Sequence, residues 1–500
     1  MTLLCVPLVG RTVEGMKIDA AAAAAAGGDL VEIRLDYIEG FRPREDLPRL
    51  LHSCPLPVLV TYRPNWEGGR YDGDDATRFE TLYLAMELGV DYVDIELKVA
   101  DKFVGFLSGN KPDKCKLIVS SHNYESTPSC EDLANLVARI QEVGADIVKV
   151  ATTATDIVDV SRMFQVMVHC QVPMIGLVMS ERGLMSRVLS PKFGGYLTFG
   201  ILDATKTSAS GQPTLEELLD IYNIRCIGPD TKVLGLIANP VKQSKSPILH
   251  NKCLQSVGYN AVYLPLLADD LARFLDTYSS PDFSGFSCSL PFKVDAVHCC
   301  HEHDAVAKSI GAINTIVRKS DGKLVGYNTD YIGAISAIED GIGGLGSKDA
   351  AMSPLSGRLI VVVGAGGAAK AIAYGAKKKG ARVVVANRTY VGGQALRLAD
   401  LENFRPEEGT ILANATSLGM YPNVDGTPVP KKALRFYDVV FDAVYAPKVT
   451  RLLREAKEHG VKVVSGVEMF VRQAMGQFEH FTGGIEAPES LMREIAAQYT

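Results

Sequence analysis

This 500-residue chain is short of the features that mark several classes of protein. None of its 10 cysteines forms a CxxC pair and we expect no signal peptide, which argues against a zinc ribbon or a disulfide-built extracellular domain. No apolar run approaches the roughly 18 residues of a membrane span. Lysine and arginine (52) do not outnumber aspartate and glutamate (58), and a net charge of −6 gives no general attraction to nucleic acid or anionic membranes. These absences favour small-molecule chemistry in a reducing compartment.

A glycine-rich turn between two apolar runs is the most informative stretch that is present. Residues 359–363 (LIVVV) lead into GAGGAA, an Ala-rich helical pattern follows, and residues 382–386 form a second apolar run, as in a βαβ unit. Gly364 allows the tight turn, and Gly366 lets backbone N–H groups approach a pyrophosphate at the positive end of the helix dipole. Where an NAD-binding unit usually carries an acidic residue this chain has Asn-Arg-Thr, which suits the 2′-phosphate of NADP. The predicted cofactor-binding residues are Gly364, Ala365, Gly366, Gly367, Ala368, Ala369, Asn387, Arg388 and Thr389.

Apolar, β-branched runs alternate with helical intervals in the first half of the chain. Runs that are apolar on both faces and separated by helices are typical of parallel strands, and eight of them in about 200 residues predict a (β/α)8 TIM barrel. The runs span residues 3–9, 30–36, 57–63, 92–97, 116–123, 147–153, 174–179 and 196–202. Catalytic groups of such barrels lie at the C-terminal ends of the strands.

Polar residues collect at those predicted strand ends. Lys149 lies inside the apolar run IVKVATT, where an unpaired ammonium is costly, so we expect its pKa to fall on burial and its amine to act as a nucleophile toward a ketone. His122 is the natural proton carrier near neutral pH. Barrel strands also carry polar residues that only fill interior layers, and for several of these residues that structural alternative stays open. The strand-end residues are Glu32, Arg34, Arg63, Glu96, His122, Lys149, Arg187 and Gln212.

Motifs across this half resemble those of the type I 3-dehydroquinate dehydratases. They are EIRLD (32–36), VDIEL (93–97), SSHNY (120–124), KVAT (149–152), LMSR (184–187) and GQPT (211–214). The resemblance implies that Lys149 forms an iminium with the C3 carbonyl of 3-dehydroquinate. It further implies that His122 removes the acidified α-proton and later protonates the departing hydroxyl, while Glu96 orients His122. The implied contacts to the substrate carboxylate and hydroxyls are Arg187 and Gln212, with Glu32, Arg34, Arg63 and Ser208 completing the polar shell.

The second half begins after a linker at residues 224–232, which contains Gly-Pro. Short apolar segments then alternate with loops rich in Ser, Asn, Lys and Asp, which suits a polyhydroxylated acid. With the barrel over residues 1–223, the predicted class is α/β throughout. We expect a substrate domain at 233–339, a Rossmann-like NADP domain at 340–470, and helices at 471–500 that pack back on the substrate domain.

Residues 233–500 resemble shikimate dehydrogenase. The motifs are SKSPILHNK (244–252), GFSCSLPFK (285–293), GAINTI (311–316) and GYNTDYIG (326–333). The resemblance implies NADPH-dependent reduction of 3-dehydroshikimate to shikimate with Lys293 and Asp330 as the catalytic pair, for which a surface ion pair is the structural alternative. Fused in this order, the two halves resemble the plant-type bifunctional enzymes. The implied substrate contacts are Ser244, Ser246, Ser289, Asn314, Tyr445, Gln473 and Gln477.

Four positions depart from the shikimate dehydrogenase pattern: Gln243, Ser289, Phe292 and Gly392. Ser289 lacks the methyl group of the usual Thr, which leaves room for the extra C1 hydroxyl of quinate, and Phe292 removes a polar neighbour of Lys293. Gly392 weakens the expected hold on the 2′-phosphate. The alternative for the second half is therefore a quinate dehydrogenase or a form that oxidises dehydroshikimate toward gallate. A silent regulatory paralogue is a third hypothesis, and the presence of both sets of catalytic residues argues against it.

The segment AVHCCHEHDAVAK (296–308) carries metal-capable side chains, but its pattern predicts a helix and we expect no metal site. The family resemblance implies a chloroplast location, although no Ser- and Arg-rich transit segment precedes Leu3, and a cytoplasmic isoform is the alternative. We expect a monomer whose partners are the small molecules 3-dehydroquinate, 3-dehydroshikimate and shikimate, with no nucleic acid or membrane.

Overall fold

The computed structural model describes residues 1–52, 54–205, 209–343, 352–389 and 395–499. The chain divides into two compact units, Met1–Thr231 and Lys232–Thr500. Two residues singled out in the sequence, Ser208 and Gly392, lie outside the described residues.

The first unit is the predicted (β/α)8 barrel, and each of the apolar runs contributes one strand. Neighbouring strands pair in parallel around the sheet. A backbone hydrogen bond of 2.8 Å from the Tyr196 N–H to the Met174 carbonyl joins the last strand to the seventh. The strands are β1 (Leu3–Leu8), β2 (Leu30–Arg34), β3 (Val58–Thr61), β4 (Tyr92–Glu96), β5 (Lys116–His122), β6 (Ile147–Thr153), β7 (Met174–Met179) and β8 (Leu197–Phe199).

The helices of this unit follow the strands, and several begin at a side-chain cap. Thr12, Asp74 and Ser129 each accept a hydrogen bond from a backbone N–H in the first turn, which satisfies a donor that the helix itself cannot. The helices are α1 (Val13–Ala25), α2 (Pro43–Leu51), α3 (Asp75–Glu87), α4 (Leu97–Leu107), α5 (Cys130–Glu142), α6 (Asp159–His169) and α7 (Leu184–Val188).

Two-residue periodicity explains why the polar residues meet at one end of the barrel. Leu30 and Ile147 belong to the apolar cluster that fills the barrel interior. Glu32 and Lys149 lie two positions further along the same strands, so they share that face but sit closer to the C-terminal ends. The interior of the barrel is therefore filled by apolar side chains toward the N-terminal ends of the strands and by charged side chains near the mouth.

The second unit starts with a six-stranded mixed sheet in the order β10-β9-β11-β13-β14-β12. Its strands are β9 (Lys232–Ala238), β10 (Ala261–Leu267), β11 (Phe283–Cys288), β12 (Glu302–His303), β13 (Thr315–Arg318) and β14 (Leu324–Tyr327). Its helices are α8 (Ser246–Ser256), α9 (Leu271–Thr277), α10 (Ala296–Cys299), α11 (Ala305–Ile310) and α12 (Asp330–Ile342).

An all-parallel, Rossmann-like sheet follows in the order β17-β16-β15-β18-β19-β20. Its strands are β15 (Leu359–Val363), β16 (Arg382–Asn387), β17 (Ala395–Arg397), β18 (Ile411–Asn414), β19 (Val439–Asp442) and β20 (Lys462–Ser465). Its helices are α13 (Gly367–Lys378), α14 (Lys431–Leu434) and α15 (Arg451–Glu458).

Two C-terminal helices, α16 (Gly466–Thr482) and α17 (Glu489–Tyr499), pack against the mixed sheet. Phe478 of α16 and Met492 of α17 are fully buried in one cluster with Leu234 and Tyr263 from β9 and β10. This packing brings α16 alongside the strands that carry the motif residues of the second unit.

The helix predicted over residues 296–308 is wrong in its middle. The structure has a short helix to Cys299, an extended Cys300, the edge strand β12, and then α11. His301 explains the break, because its backbone N–H donates to the Leu324 carbonyl and its ring Nδ1 accepts from the Leu324 N–H, at 2.9 and 3.1 Å. The pairing of β12 with β14 thus replaces helical hydrogen bonds. Separately, none of the described helices has the length and apolarity needed to cross a membrane.

Candidate active sites

A cavity of about 550 Å³ opens at the mouth of the barrel. Apolar walls come from Ala151, Leu177, Met179 and Phe199, and the polar residues converge from different strands and loops. Of the residues predicted for this site, those that line the cavity are Glu32, Arg34, Arg63, His122, Lys149, Arg187 and Gln212.

Lys149 is buried (4% exposed) but is not the unpaired ammonium that the sequence argument assumed. Its Nζ lies 2.7 Å from Asp94 Oδ2 and 3.7 Å from Glu32 Oε1. The Phe199 ring, 5.1 Å away, covers another side of the ammonium. Burial raises the pKa of Asp94, yet Arg63 and Lys149 outweigh that effect and bring it well below the ordinary value. An anionic Asp94 therefore faces the amine.

His122 contacts Glu67, and this corrects the role predicted for Glu96. The Glu67 Oε1 atom lies 3.2 Å from His122 Nδ1 and accepts the His122 backbone N–H at 2.8 Å. Burial, reinforced by the positive charge of Arg63, lowers the pKa of His122 to about 4, although the contact with Glu67 acts in the opposite direction. His122 is therefore neutral at pH 7, as a general base must be.

Glu96 instead lies between two arginines. Arg63 Nη1 donates to Glu96 Oε1 at 2.8 Å, and Arg78 Nη1 donates to Glu96 Oε2 at 2.5 Å. The Glu96 side chain is fully buried and does not line the cavity among the described residues. Burial raises the pKa of Glu96 and the two guanidinium groups oppose it. The reason for the error is chain geometry, since the loop after β3 brings Glu67 over His122 while β4 directs Glu96 away from it.

Arg187 is a buried guanidinium with unused donors. It is 1% exposed, and its Nε and Nη1 atoms have no hydrogen-bond partner among the described residues. Burial alone lowers the pKa of Arg187 to about 10. A buried cation without a protein anion is costly, and an arginine fork matches a carboxylate in geometry and charge. The site therefore suits an acidic ligand, with Gln212 on the same cavity wall.

Sequence reasoning missed Glu67, Asp94, Ser120 and Arg78. Asp94 had a usable signal, because it lies two positions before Glu96 on the same face of β4 and so points toward the barrel interior. Ser120 donates to Asp94 at 2.6 Å, which completes the surroundings of that carboxylate. Glu67 lies on a short 3-10 helix after β3 and Arg78 lies on α3, where no strand periodicity could have placed them.

The second unit contains a larger cleft of about 1610 Å³ between the mixed sheet and the parallel sheet. Its catalytic candidates meet there, because Lys293 Nζ lies 2.5 Å from Asp330 Oδ2. Asp330 is 2% exposed at the first position of α12, so the surface ion pair considered as an alternative is contradicted. The predicted substrate contacts that line this cleft are Ser244, Ser246, Ser289, Asn314, Tyr445, Gln473 and Gln477.

An amide network fixes the orientation of the cleft wall. Asn314 Nδ2 donates to Asp330 Oδ1 at 3.1 Å, and its Oδ1 accepts the Thr329 backbone N–H at 2.8 Å. Gln477 Nε2 donates to the Asn314 carbonyl at 2.9 Å, while its Oε1 accepts from Ser287 at 2.8 Å. Because the protein holds both amides through these hydrogen bonds, Asp330 and the adjoining cleft wall are fixed in orientation.

The glycine-rich turn lies at one edge of this cleft. Gly364 has φ of 113°, a conformation that favours glycine. Gly366 precedes α13, whose first-turn N–H groups have no side-chain cap, and Gly366, Gly367 and Ala368 line the cleft. A Cβ added at Gly367 would lie 2.6 Å from Lys293 Cβ, so only glycine allows this approach. The bare helix N-terminus fits a pyrophosphate.

The remaining predicted cofactor residues occupy supporting positions. Ala369 is buried on α13, and Asn387 ends β16, where it donates to the Thr389 carbonyl at 3.4 Å. Arg388 and Thr389 are exposed beyond that strand. An exposed guanidinium beside a hydroxyl fits a 2′-phosphate, whereas none of the residues described at that strand end, Asn387 to Thr389, is a carboxylate that could accept from a ribose 2′-hydroxyl.

Two of the sequence departures face the cleft and one does not. Gln243 and Ser289 line it. Phe292 is 4% exposed and is not among the described lining residues, which corrects the expectation that it changes the polarity beside Lys293. Its aromatic ring contributes to the core.

Three family models match parts of this chain. Residues 4–229 match the model described as type I 3-dehydroquinase. Residues 236–316 match the shikimate dehydrogenase substrate binding domain, and residues 466–496 match the shikimate 5′-dehydrogenase C-terminal domain.

The chain is also similar to individual proteins. The chain is 59% identical to the chloroplastic bifunctional 3-dehydroquinate dehydratase/shikimate dehydrogenase of Arabidopsis thaliana, over 100% of this chain and 85% of that protein. It is 37% identical to the shikimate dehydrogenase (NADP(+)) of Methanocaldococcus jannaschii, over 51% of this chain and 93% of that protein. A solved shikimate dehydrogenase in complex with NADP+ is 33% identical, with a TM-score of 0.47, over 54% of this chain and 96% of that one.

Proposed function

Because the chain belongs to the family of bifunctional 3-dehydroquinate dehydratase/shikimate dehydrogenases, we propose that it dehydrates 3-dehydroquinate and reduces the resulting 3-dehydroshikimate to shikimate with NADPH. The observation that carries the first activity is the buried Lys149 beside Asp94, in one cavity with His122 and with Arg187, whose Nε and Nη1 atoms have no hydrogen-bond partner in the described part of the chain. The second is supported by Lys293 and Asp330 in a cleft bordered by the uncapped N-terminus of α13.

The first reaction begins at Lys149. Its ammonium loses a proton, the amine adds to the C3 carbonyl of the substrate, and loss of water leaves an iminium. The iminium is a positive charge near the position of the former ammonium, so Asp94 faces a cation both before and after the C–N bond forms. The arrangement therefore favours the intermediate without reorganising the charged groups.

His122 then transfers the proton. As the neutral base it removes the α-proton, and the electron pair moves into the iminium to give an enamine. When the pair returns, the C1 hydroxyl leaves as water with the proton that His122 carried. Hydrolysis of the iminium releases the product and restores Lys149. Arg187 binds the substrate carboxylate throughout, which turns the reacting carbon toward Lys149.

Borohydride trapping tests this function directly. Incubation with 3-dehydroquinate and sodium borohydride reduces the iminium to a secondary amine, and peptide mass spectrometry is expected to place the added mass on Lys149. Lys149→Met is the control and is expected to give no adduct. An adduct on a different lysine, or none in the unsubstituted chain, would overturn the assignment.

In the second reaction the substrate ketone would be reduced by hydride from a dinucleotide held at the N-terminus of α13. Lys293 lies beside Asp330 and donates the proton that the new alkoxide requires. The hydroxyls of Ser244 and Ser246 bind the substrate carboxylate, and the phenol of Tyr445 contacts the substrate hydroxyls. Burial raises the pKa of Tyr445, so it remains a donor. Gly366 and Gly367 admit the pyrophosphate, and Arg388 supports the choice of NADP.

Ser289 favours one alternative substrate, quinate, because it lines the cleft where the family pattern has a bulkier threonine. Initial rates with shikimate and with quinate, each with NADP and with NAD, decide between the two. Shikimate with NADP is expected to be fastest. A faster rate with quinate that Ser289→Thr reverses would establish the alternative, and a faster rate with NAD would overturn the cofactor assignment.

The chloroplast is the compartment that we propose, because the Arabidopsis relative is described as chloroplastic. Immunoblotting of purified stroma against cytosol tests this location. A signal confined to the cytosol would favour the cytoplasmic isoform.

A further inference from the structure

A series of hydrogen bonds in the second unit begins behind the cleft wall and ends on it. The Tyr263 phenol donates to Ser287 Oγ at 2.6 Å, and Ser287 donates to Gln477 Oε1 at 2.8 Å. Gln477 Nε2 then donates to the Asn314 carbonyl at 2.9 Å. Ser287 and Gln477 line the cleft, whereas Tyr263 is fully buried and is not among the described lining residues. Tyr263 therefore acts on the cleft only through its partners.

Two neighbouring residues of α8 fix the position of Tyr263. Asn251 Oδ1 accepts the Tyr263 backbone N–H at 2.8 Å, and its Nδ2 donates to the Tyr263 carbonyl at 2.7 Å. These contacts replace a strand neighbour, because β10 lies at the edge of the mixed sheet. His250 stacks on the Tyr263 ring with centroids 4.4 Å apart, and it also interacts with Gln477. The end of the motif SKSPILHNK, which the proposed reaction does not use, thus sets where the phenol points.

The number of available protons fixes the direction of the series. The Asn314 carbonyl can only accept, so Gln477 directs its Nε2 toward that carbonyl and its Oε1 toward Ser287. Ser287 has a single hydroxyl proton, which it donates to Gln477, and Tyr263 donates its own proton to Ser287. Ser287 is left with a lone pair and no free proton. At the cleft it can therefore accept a hydrogen bond but cannot donate one.

We infer that Tyr263 is a positioning residue of the dehydrogenase, and that the Ser287 hydroxyl it holds is a specificity-determining contact that accepts a hydrogen bond from a substrate hydroxyl. This inference rests on the proposed interconversion of 3-dehydroshikimate and shikimate. A ring hydroxyl has a proton to donate to Ser287. A ketone, ether or carboxylate oxygen brings only lone pairs, which are repelled at this position. This part of the wall therefore selects a hydroxylated ring.

Recognition of the substrate carboxylate is separate from this effect. The Ser246 hydroxyl also hydrogen-bonds with the Tyr263 phenol, whose own proton is donated to Ser287. The phenol oxygen can therefore only accept from Ser246, and its removal leaves the Ser246 proton to the carboxylate. Loss of the phenol should weaken the contact with the hydroxyl and spare the contact with the carboxylate.

The first test is the rate of shikimate oxidation with NADP in the full chain. Tyr263→Phe removes only the phenol oxygen and is expected to lower kcat/KM for shikimate by about 5- to 20-fold, mainly through KM, because Ser287 can then turn its proton away from Gln477. Ser287→Ala is expected to lower it at least as much. Since Tyr263 acts through Ser287, the double variant is expected to match Ser287→Ala alone, with KM for NADP unchanged.

Deoxyfluoro analogues of shikimate, substituted at C4 or at C5, give a second readout that a packing role would not move. Fluorine is close to a hydroxyl in size but has no proton to donate. For one of the two analogues we expect kcat/KM in the unsubstituted chain to be about ten-fold or more below that for shikimate. This ratio is expected to shrink by about three-fold or more in Tyr263→Phe and in Ser287→Ala. The electronic effect of fluorine on hydride transfer is common to all variants, and the ratio does not depend on how much protein is folded.

Tyr437→Phe is the matched control. Tyr437 is a buried tyrosine outside the lining of the cleft, and its hydroxyl has no hydrogen-bond partner within the described residues, so kcat/KM is expected to stay unchanged. A double variant equal to Ser287→Ala together with a smaller fluorine penalty supports the inference. Effects that multiply in the double variant, a fluorine penalty that does not change, or an equal loss in Tyr437→Phe would overturn it. If Ser287→Ala does not fold, the fluorine penalty in Tyr263→Phe alone decides. An unsubstituted chain that does not oxidise shikimate would instead overturn the proposed function.

Discussion

The two sites differ most in the source of their chemistry. The barrel cavity is about 550 Å³ and is bordered by a buried cluster of ionised side chains, whereas the second cleft is about 1610 Å³ and relies on one ion pair, hydroxyls and amides. In the barrel the nucleophile is a side chain, so the protein itself must supply the reactive group and surround it with partners. In the cleft a cofactor supplies the hydride, and the protein needs only to orient the reactants and deliver a proton.

The charged groups of the barrel site depend on one another more strongly than those of the cleft. Asp94 faces cations on two sides, and changing one charge alters its neighbours. Asp330, by comparison, has one cation and otherwise receives hydrogen bonds from an amide, Asn314. Substitutions that remove charge should therefore shift pH profiles in the barrel, and in the cleft they should mainly reduce rates.

The largest expected effect comes from the two lysines. Lys149→Met removes the nucleophile, and we expect the dehydratase rate to fall by about 10⁴-fold or more. Lys293→Met removes only a proton donor, and we expect the dehydrogenase rate to fall by about 10² to 10⁴-fold. Steady-state assays of both reactions with each variant measure this, and the reaction in the other unit is the internal control. Equal residual rates for Lys149→Met in dehydration and Lys293→Met in reduction would contradict the proposed difference between a covalent nucleophile and a proton donor.

Buried arginines provide the next test. Two donors of Arg187 are unpaired within the described residues, whereas Arg318 in the second unit donates to carbonyls of Phe283, Leu275 and Tyr278 at 3.1 to 3.3 Å. Arg187→Met is expected to lower dehydratase kcat/KM by about 10² to 10³-fold while raising the melting temperature, because it removes an uncompensated buried charge. Arg318→Met is expected to leave kcat/KM unchanged and to lower stability by about 1–3 kcal/mol.

Thermal unfolding and steady-state kinetics of Arg187→Met and Arg318→Met test this difference between the two arginines. If Arg187→Met loses stability as Arg318→Met does, Arg187 has a structural partner in solution, and the barrel arginine is no more specialised for an anion than the one in the second unit.

Glu67→Gln is expected to have a smaller effect. The change removes the carboxylate that raises the pKa of His122, so the imidazole becomes a weaker base and is less firmly oriented. We expect kcat for dehydration to fall by about 10- to 100-fold. Glu96→Gln should leave His122 in place and cost much less at the optimum pH. The reverse ranking would restore the role that the sequence assigned to Glu96.

The comparison of the two units also explains what could be predicted from the sequence. Strand periodicity located the barrel and the glycine-rich turn located the nucleotide-binding edge, because those signals depend on residues close together in the chain. The convergence of Lys149, His122 and Arg187 followed from the rule that barrel strands end at one rim. Each of these inferences needed only local pattern and topology.

What the sequence could not supply was side-chain pairing across the fold. The choice between Glu67 and Glu96 as the partner of His122 depends on how the loop after β3 folds over the mouth, and the two residues are separated by a helix in the chain. Lys149 looked unpaired because its partner Asp94 lies on a strand two positions away in the barrel. Phe292 looked relevant because it precedes Lys293, although adjacent residues commonly face opposite ways.

The smallest effect concerns two buried carboxylates with opposite surroundings. In the described part of the chain, Asp442 accepts hydrogen bonds only from neutral groups, the Asn414 amide, the Val444 N–H and the Thr450 hydroxyl, at 2.9, 3.1 and 2.6 Å. Burial raises the pKa of Asp442 to about 6, so its favourable contribution is complete below an unfolded pKa near 3.9 and is lost as the pH rises through 6. Asp94 is the reverse case, because its cationic partners lower its pKa, and its contribution is present above about pH 3.9 and is lost as the pH falls.

Calorimetric melting of Asp442→Asn and Asp94→Asn between pH 4.5 and 8 tests this difference. At pH 8 we expect Asp442→Asn to melt about 2–4 °C higher than the unsubstituted chain and Asp94→Asn to melt lower. The difference for Asp442→Asn should narrow toward pH 4.5, since the native Asp442 then carries a proton, whereas the difference for Asp94→Asn should persist over this range because native Asp94 stays ionised. A decrease for Asp442→Asn that is the same at every pH would mean that its three hydrogen bonds outweigh the cost of burying the charge. In that event the second unit would depend on an ionised buried carboxylate as the barrel does, and the contrast between the two units would be confined to the catalytic lysines.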